Sequence, residues 1–145
     1  MNEIVFKIAS STEDLESVKE MRYKVFTIEQ GIAHQLDDDG LDDSSIHILG
    51  DHQETGAPVV SGRLTINGST GVISRIAVYK EYRGLKLGQE VVRRLEKVAI
   101  EMGVETLTLS PHAYLEKFYA DLGYHTVSGE KKVGQYTLLT MKKNL

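Results

Sequence analysis

The sequence predicts an α/β fold of the α+β kind: a mixed, mostly antiparallel sheet with helices on both faces. Three observations carry this expectation. The 145 residues match one domain, hydrophobic residues at 41% and charged residues at 26% are ordinary for a folded chain, and the apolar periodicity alternates between strand and helix in the order β-α-β-β-β-α-β-α-β-β. A single domain over residues 1–145 follows.

Ile4 to Ser10 reads as the first strand. Ser11 then offers a capping hydroxyl, and Glu13 and Asp14 put acids in the first turn of a helix whose apolar stripe is Leu15, Val18, Met21, Val25 and Phe26. This helix should end near Gln30-Gly31. Three β-rich stretches follow, Ser45 to Asp51, Val59 to Asn67 and Val72 to Tyr79, joined by turns such as Asn67-Gly68-Ser69 into an antiparallel meander. From Gly88 to Met102 the set Val91, Val92, Leu95, Val98, Ala99 and Met102 repeats with helical period, and Gly103 supplies a stop. Thr106 to Ser110 alternates as a strand, and Ala113 to Leu122 is a short helix closed by Gly123. Thr126 to Ser128 and Gln135 to Met141 complete the sheet.

Composition excludes several functions. The absence of cysteine removes disulfides, thiolate metal sites and cysteine nucleophiles. The longest apolar run is four residues, Ile76 to Tyr79, against roughly 20 for a bilayer span, and the start lacks a basic n-region, so the expected location is the cytoplasm with no membrane partner. A net charge of -4 argues against nucleic acid as a partner. Asp37 to Asp43 holds five carboxylates in seven residues but lacks the alternating ligands and terminal Glu of a calcium loop, so no metal is expected. As a functional element, Asp38, Asp39 and Asp42 would draw a cationic acceptor; otherwise the loop is merely solvated. A homodimer stays open.

Between the fourth strand and the second long helix lies Lys80 to Gln89, a loop carrying Gly84 and Gly88. A strand, a glycine-bearing loop and a helix start aim backbone N–H groups and the positive end of a helix dipole at one point, which suits a pyrophosphate. The loop has neither the Walker pattern nor the dinucleotide fingerprint.

Arg83-Gly84-Leu85-Lys86-Leu87-Gly88 resembles the Arg/Gln-x-x-Gly-x-Gly/Ala acyl-CoA loop of the GNAT superfamily of N-acetyltransferases. Ser74 to Val78 and Lys117 to Tyr124 are similar to that family's splayed strand and its closing helix-to-strand segment, and Arg22 to Gly31 with the Asp-rich loop resembles the ElaA/YjcF-like branch. One departure is Lys86, which stands where the family usually has its first glycine; a position needing φ > 0 would cost a lysine about 1 to 2 kcal/mol.

The resemblance implies a splayed central strand pair with acetyl-CoA in the gap, and transfer of its acetyl group to a primary amine of a small molecule or peptide by direct attack in a ternary complex. It implies pyrophosphate on the loop formed by Arg83, Gly84, Leu85, Lys86, Leu87, Gly88 and Gln89, and the pantetheine arm along the backbone of Ile76, Ala77 and Val78. The Ile76 N–H would polarise the thioester carbonyl, a contribution typically worth about 3 to 4 kcal/mol. Tyr119 stands where the family often has its general acid. The fourth-strand Glu that several members use as a base corresponds here to Val72, which cannot serve. Glu29 and His112 are the leading candidates for that role. Glu29, Asp38, Asp39, Asp42 and Arg63 make up the expected acceptor side, and Arg63 and Arg75 should pair with carboxylates there.

Two other readings differ in class. Val72 and Lys86 suggest a non-catalytic acyl-CoA-binding sensor. Arg22-x-x-Val25-Phe26, Asp39-x-x-Asp42 and Arg63 resemble the N-terminal pattern of acyl-homoserine-lactone synthases.

Overall fold

The computed structural model describes residues 3–133 and 135–145. The strands are β1 (Ile4–Ile8), β2 (Ile46–His52), β3 (Pro58–Asn67), β4 (Thr70–Val78), β5 (Thr106–Leu109), β6 (His125–Val133) and β7 (Tyr136–Asn144). The α-helices are α1 (Thr12–Arg22), α2 (His34–Asp37), α3 (Leu87–Glu101) and α4 (Glu116–Asp121). The seven strands form one sheet in the order β1-β2-β3-β4-β5-β7-β6. Every pairing is antiparallel except β4 with β5. No helix among the described residues is long and apolar enough to cross a membrane.

Alternation along the strands divides the core in two. Ile48, Val60, Leu64 and Ile73 face α3 and α4, where they meet Val91, Val92, Leu95 and Tyr119. Leu49 and Ala77 face the other way and pack with Val18, Met21 and Val25. Helices therefore cover both faces, as the period-2 and period-3.6 patterns require. Gly62 lets α3 sit close: a Cβ there would lie 2.5 Å from Val91 Cγ1 and 2.7 Å from Ile76 Cδ1.

Three expected elements differ from the sequence reading, and the short α2 is an element that it does not contain. The first helix begins as expected, with the Ser11 hydroxyl accepting from the Asp14 N–H at 3.0 Å. It does not continue as an α-helix to Gln30, because Tyr23–Glu29 widens into a π-helix. The last two strands are longer than the apolar residues suggested. Gly129 to Lys132 carry no apolar alternation, yet β6 runs through them because register shifts between Thr126 and Ser128 and between Ser128 and Lys131 keep it paired with β7.

The central strand pair is splayed. Strand β4 pairs with β5 only over Thr70 to Ile73, so its edge from Ser74 to Val78 has no β5 partner. On its other side the register with β3 shifts between Ser61 and Arg63, the mark of a bulge in β4. Arg75 sits in that bulge with φ at 58°.

Candidate active site

A cleft of about 890 Å³ occupies the gap. Ile76 and Val78 of β4, Leu109 at the end of β5, and Arg83, Gly84 and Lys86 to Gln89 before and within the first turn of α3 line its donor half. Ala77 is on the opposite core face and does not line the cleft. Leu85 is 60% exposed and does not line the cleft.

The loop turns through the left-handed region twice. Gly84 has φ at 84°, and Lys86, the residue preceding α3, has φ at 63° with no side-chain cap. Lysine thus occupies a left-handed position that ordinarily favours glycine. The first N–H groups of α3 have no partner within the helix and lie at its positive end. A Cβ on Gly88 would meet nothing nearer than Ile76 Cγ2 at 3.8 Å, and one on Gly84 nothing within 4 Å. The protein's own packing does not need a glycine at 88; a bulky anion approaching the helix end does. These residues fit a pyrophosphate.

Arg83 is turned away from that cradle. Its Nε donates to the Val78 carbonyl at 3.0 Å, and its two terminal nitrogens hold Glu29 in a bidentate pair, one at 2.8 Å. The guanidinium keeps the Glu29 carboxyl below its usual range. Glu29 borders a separate, shallower depression with Lys24, Tyr79 and Lys80.

The Asp-rich segment is a cross-linked cluster. Arg22, at 2% exposure, donates to Asp37 at 2.9 Å and to Asp42 at 2.6 Å. Arg63 bridges Asp39 at 2.7 Å and Asp42 at 3.1 Å. Arg75 pairs with Asp37 at 2.9 Å and Asp39 at 3.3 Å. The expected pairing of Arg63 and Arg75 with these acids is thus present, with Asp37 as a member that the sequence reading had not singled out. Hydrogen bonds from Arg63 hold Asp39 far below the usual carboxyl range. Burial pushes Asp42 up, but Arg22 and Arg63 together bring it below that range. Asp39 and Arg63 reach the cleft, while Asp38 and Asp42 do not line it.

His112 and Tyr119 share the cleft. His112 precedes the short 3-10 turn Ala113–Leu115, stacks on Tyr114 with ring centroids 5.4 Å apart, and meets the edge of Tyr136 at 4.7 Å. Its Nδ1 is buried without a hydrogen-bond partner among the described residues, and burial lowers its pKa from the ordinary 6.5. Tyr119 is 6% exposed on α4, and burial raises its hydroxyl to about 12. The sequence reading missed the apolar part of the lining, to which Phe26, Ile32, Leu36, Tyr136 and Leu138 contribute. Strand β7, which supplies Tyr136 and Leu138, falls where the sequence predicts a strand, but Gly129 to Lys132 of β6 have no apolar alternation to announce them.

A model of the acetyltransferase (GNAT) domain matches residues 41–145. A Bacillus subtilis (strain 168) protein provisionally named as acetyltransferase BSU40680 is 38% identical over 127 residues, spanning 86% of this chain and 85% of its own. The uncharacterized N-acetyltransferase YjcF of the same organism is 31% identical over 121 residues, spanning 83% and 85%. Among solved structures, Escherichia coli ElaA superposes with a TM-score of 0.84 at 24% identity, over 99% of both chains. The glycine-bearing loop, the splayed strand pair and these relatives agree: the chain belongs to the GNAT acetyltransferase family, with YjcF among its relatives, and is an acyltransferase.

Proposed function

We propose that this protein is a cytoplasmic N-acetyltransferase, one catalytic domain over residues 1–145, that transfers the acetyl group of acetyl-CoA to a primary amine in a ternary complex. The observation that carries the reading is the cleft in which the open β4 edge, the α3 N-terminus, His112 and Tyr119 converge. Acetyl-CoA supplies the activated thioester.

The chain's own groups divide the remaining work. The amides from Leu87 to Gln89 and the Lys86 ammonium hold the diphosphate. The Ile76 N–H, on the unpaired stretch of β4, stabilises the carbonyl oxygen on which charge collects. Burial keeps His112 neutral at pH 7, and its imidazole accepts the proton that the attacking amine sheds. Tyr119 remains protonated throughout the physiological range and donates to the departing sulfur. Glu29 is a poorer base than His112, because its carboxylate is neutralised by Arg83 and lies outside the main cleft.

Titration calorimetry and a thiol-release assay test this together. Gly88→Asp puts bulk and negative charge at the diphosphate and should weaken acetyl-CoA binding at least tenfold, about 1.4 kcal/mol. Thiol release in the presence of an amine panel should fall in parallel. Unchanged affinity in a folded Gly88→Asp variant would remove the loop from the reading.

A further inference from the structure

The acceptor half of the cleft has a different character from the one that its aspartates suggest. Cross-strand partners share a face of a sheet, and the pairs Lys131 with Leu138 and Val133 with Tyr136 both line the opening. Phe26, Ile32, Leu36 and Leu41 line the same cavity. Leu36 is 55% exposed, Leu41 42% and Val72 40%, so three large apolar side chains left in water border the same cavity. Exposed apolar side chains gathered around one cavity are what an apolar ligand would cover.

The carboxylates do not offset this. Asp37 and Asp39 reach the cleft, but Arg22, Arg63 and Arg75 engage them together with Asp42, three cations against three anions. Such a cluster has no net charge with which to draw a polycation. Asp38 and Asp43 are exposed and do not line the cavity.

We propose that the acceptor is a hydrophobic monoamine, alkyl or arylalkyl, whose apolar body lies between the Phe26–Leu41 segment and the β6–β7 hairpin. This rests on the amine-acetylation reading above. Enclosure among apolar side chains disfavours the ammonium and so supplies the neutral amine that can attack. The nitrogen lone pair forms the N–C bond to the acetyl carbon, the C–S bond breaks with its electron pair leaving on sulfur, and one proton passes from nitrogen to the thiolate through His112 and Tyr119 or solvent. The products are the amide and free CoA thiol.

The test is kcat/KM measured with acetyl-CoA for propylamine through hexylamine and phenethylamine, beside spermidine, glucosamine and an Nα-blocked lysine. The expected result is a rise of about fourfold for each added methylene in the alkyl series, the scale of burying one CH2 group. Leu36→Asp should lower kcat/KM for hexylamine at least tenfold and leave the acetyl-CoA dissociation constant unchanged. A preference for spermidine, glucosamine or the lysine overturns the inference and leaves the acetyltransferase reading standing. So does a rate that climbs with the acyl chain of the donor and is flat in the amine series, which would assign the apolar wall to the acyl group. No turnover of any amine by protein that binds acetyl-CoA overturns both.

Discussion

Lys86 is the residue at which local strain and ligand chemistry compete most directly. Its φ of 63° costs about 1 to 2 kcal/mol relative to a glycine, and its side chain makes no cap contact that would return the energy. Lys86→Gly should therefore raise stability by about 0.5 to 1 kcal/mol, after the larger entropy of an unfolded glycine is deducted. It should also weaken acetyl-CoA several-fold through loss of a cation at the diphosphate. Thermal unfolding and calorimetry on the same variant separate the two effects, and a variant that loses stability would show that the lysine stem is part of the packing. Tyr119 sets the second expectation at this scale. Tyr119→Phe keeps the buried ring and its edge contacts with Phe118 and Tyr124, so the melting temperature should barely move. Its kcat should fall roughly 10²-fold, the usual scale of a lost general acid, with acetyl-CoA affinity within a few-fold. Wild-type kcat in the Phe variant would mean that water delivers the proton. Both residues were legible in the sequence because motif position singled them out. What could not be read was that Arg83, within the same motif, would spend its guanidinium on Glu29, since a partner 54 residues away leaves no local trace.

Among the elements, the segment from α2 to Asp42 is held to the body by charge more than by apolar contact. Its acids were visible as a run, but a run shows neither which carboxylates turn inward nor which arginines meet them. Only the bulge at Arg75, the end of α1 at Arg22 and the inward position of Arg63 on β3 decide that. Removing one member leaves the others buried and uncompensated, so Asp42→Asn should cost about 3 kcal/mol in chemical denaturation. A loss under 1 kcal/mol would mean that water reaches the cluster and screens it. The order of elements along the chain and the α3 helix were readable for the opposite reason: their signals are periodic and local. The π-helix after α1 and the polar stretch of β6 were not, because tertiary pairing outweighs the composition of those segments.

For the molecule as a whole, the ionisable groups make stability fall on acidification. His47 and His112 have folded pKa values below the ordinary 6.5, both through burial. The unfolded chain therefore binds more protons than the folded one as pH drops through that value, and the native state begins to lose ground there. Asp39 and Asp42 lie below the ordinary 3.8, so what they contribute is fully present above that value and disappears beneath it. Melting temperatures followed by circular dichroism should be flat near neutrality, decline gently below about pH 6.5 and drop steeply below about pH 4. A curve that is flat down to pH 3 would show that the cluster titrates in the folded state as it does in the unfolded chain. The splay of β4 from β5 has a further consequence for the molecule. A seven-stranded sheet ordinarily has two edges, β1 and β6, but this one has a third in its interior from Ser74 to Val78. An open edge is a template for another chain. Here the open stretch lies inside the sheet, where Ile76 and Val78 line the cleft together with the loop that enters α3. Ligand recognition and protection against edge-to-edge aggregation are then the same piece of geometry.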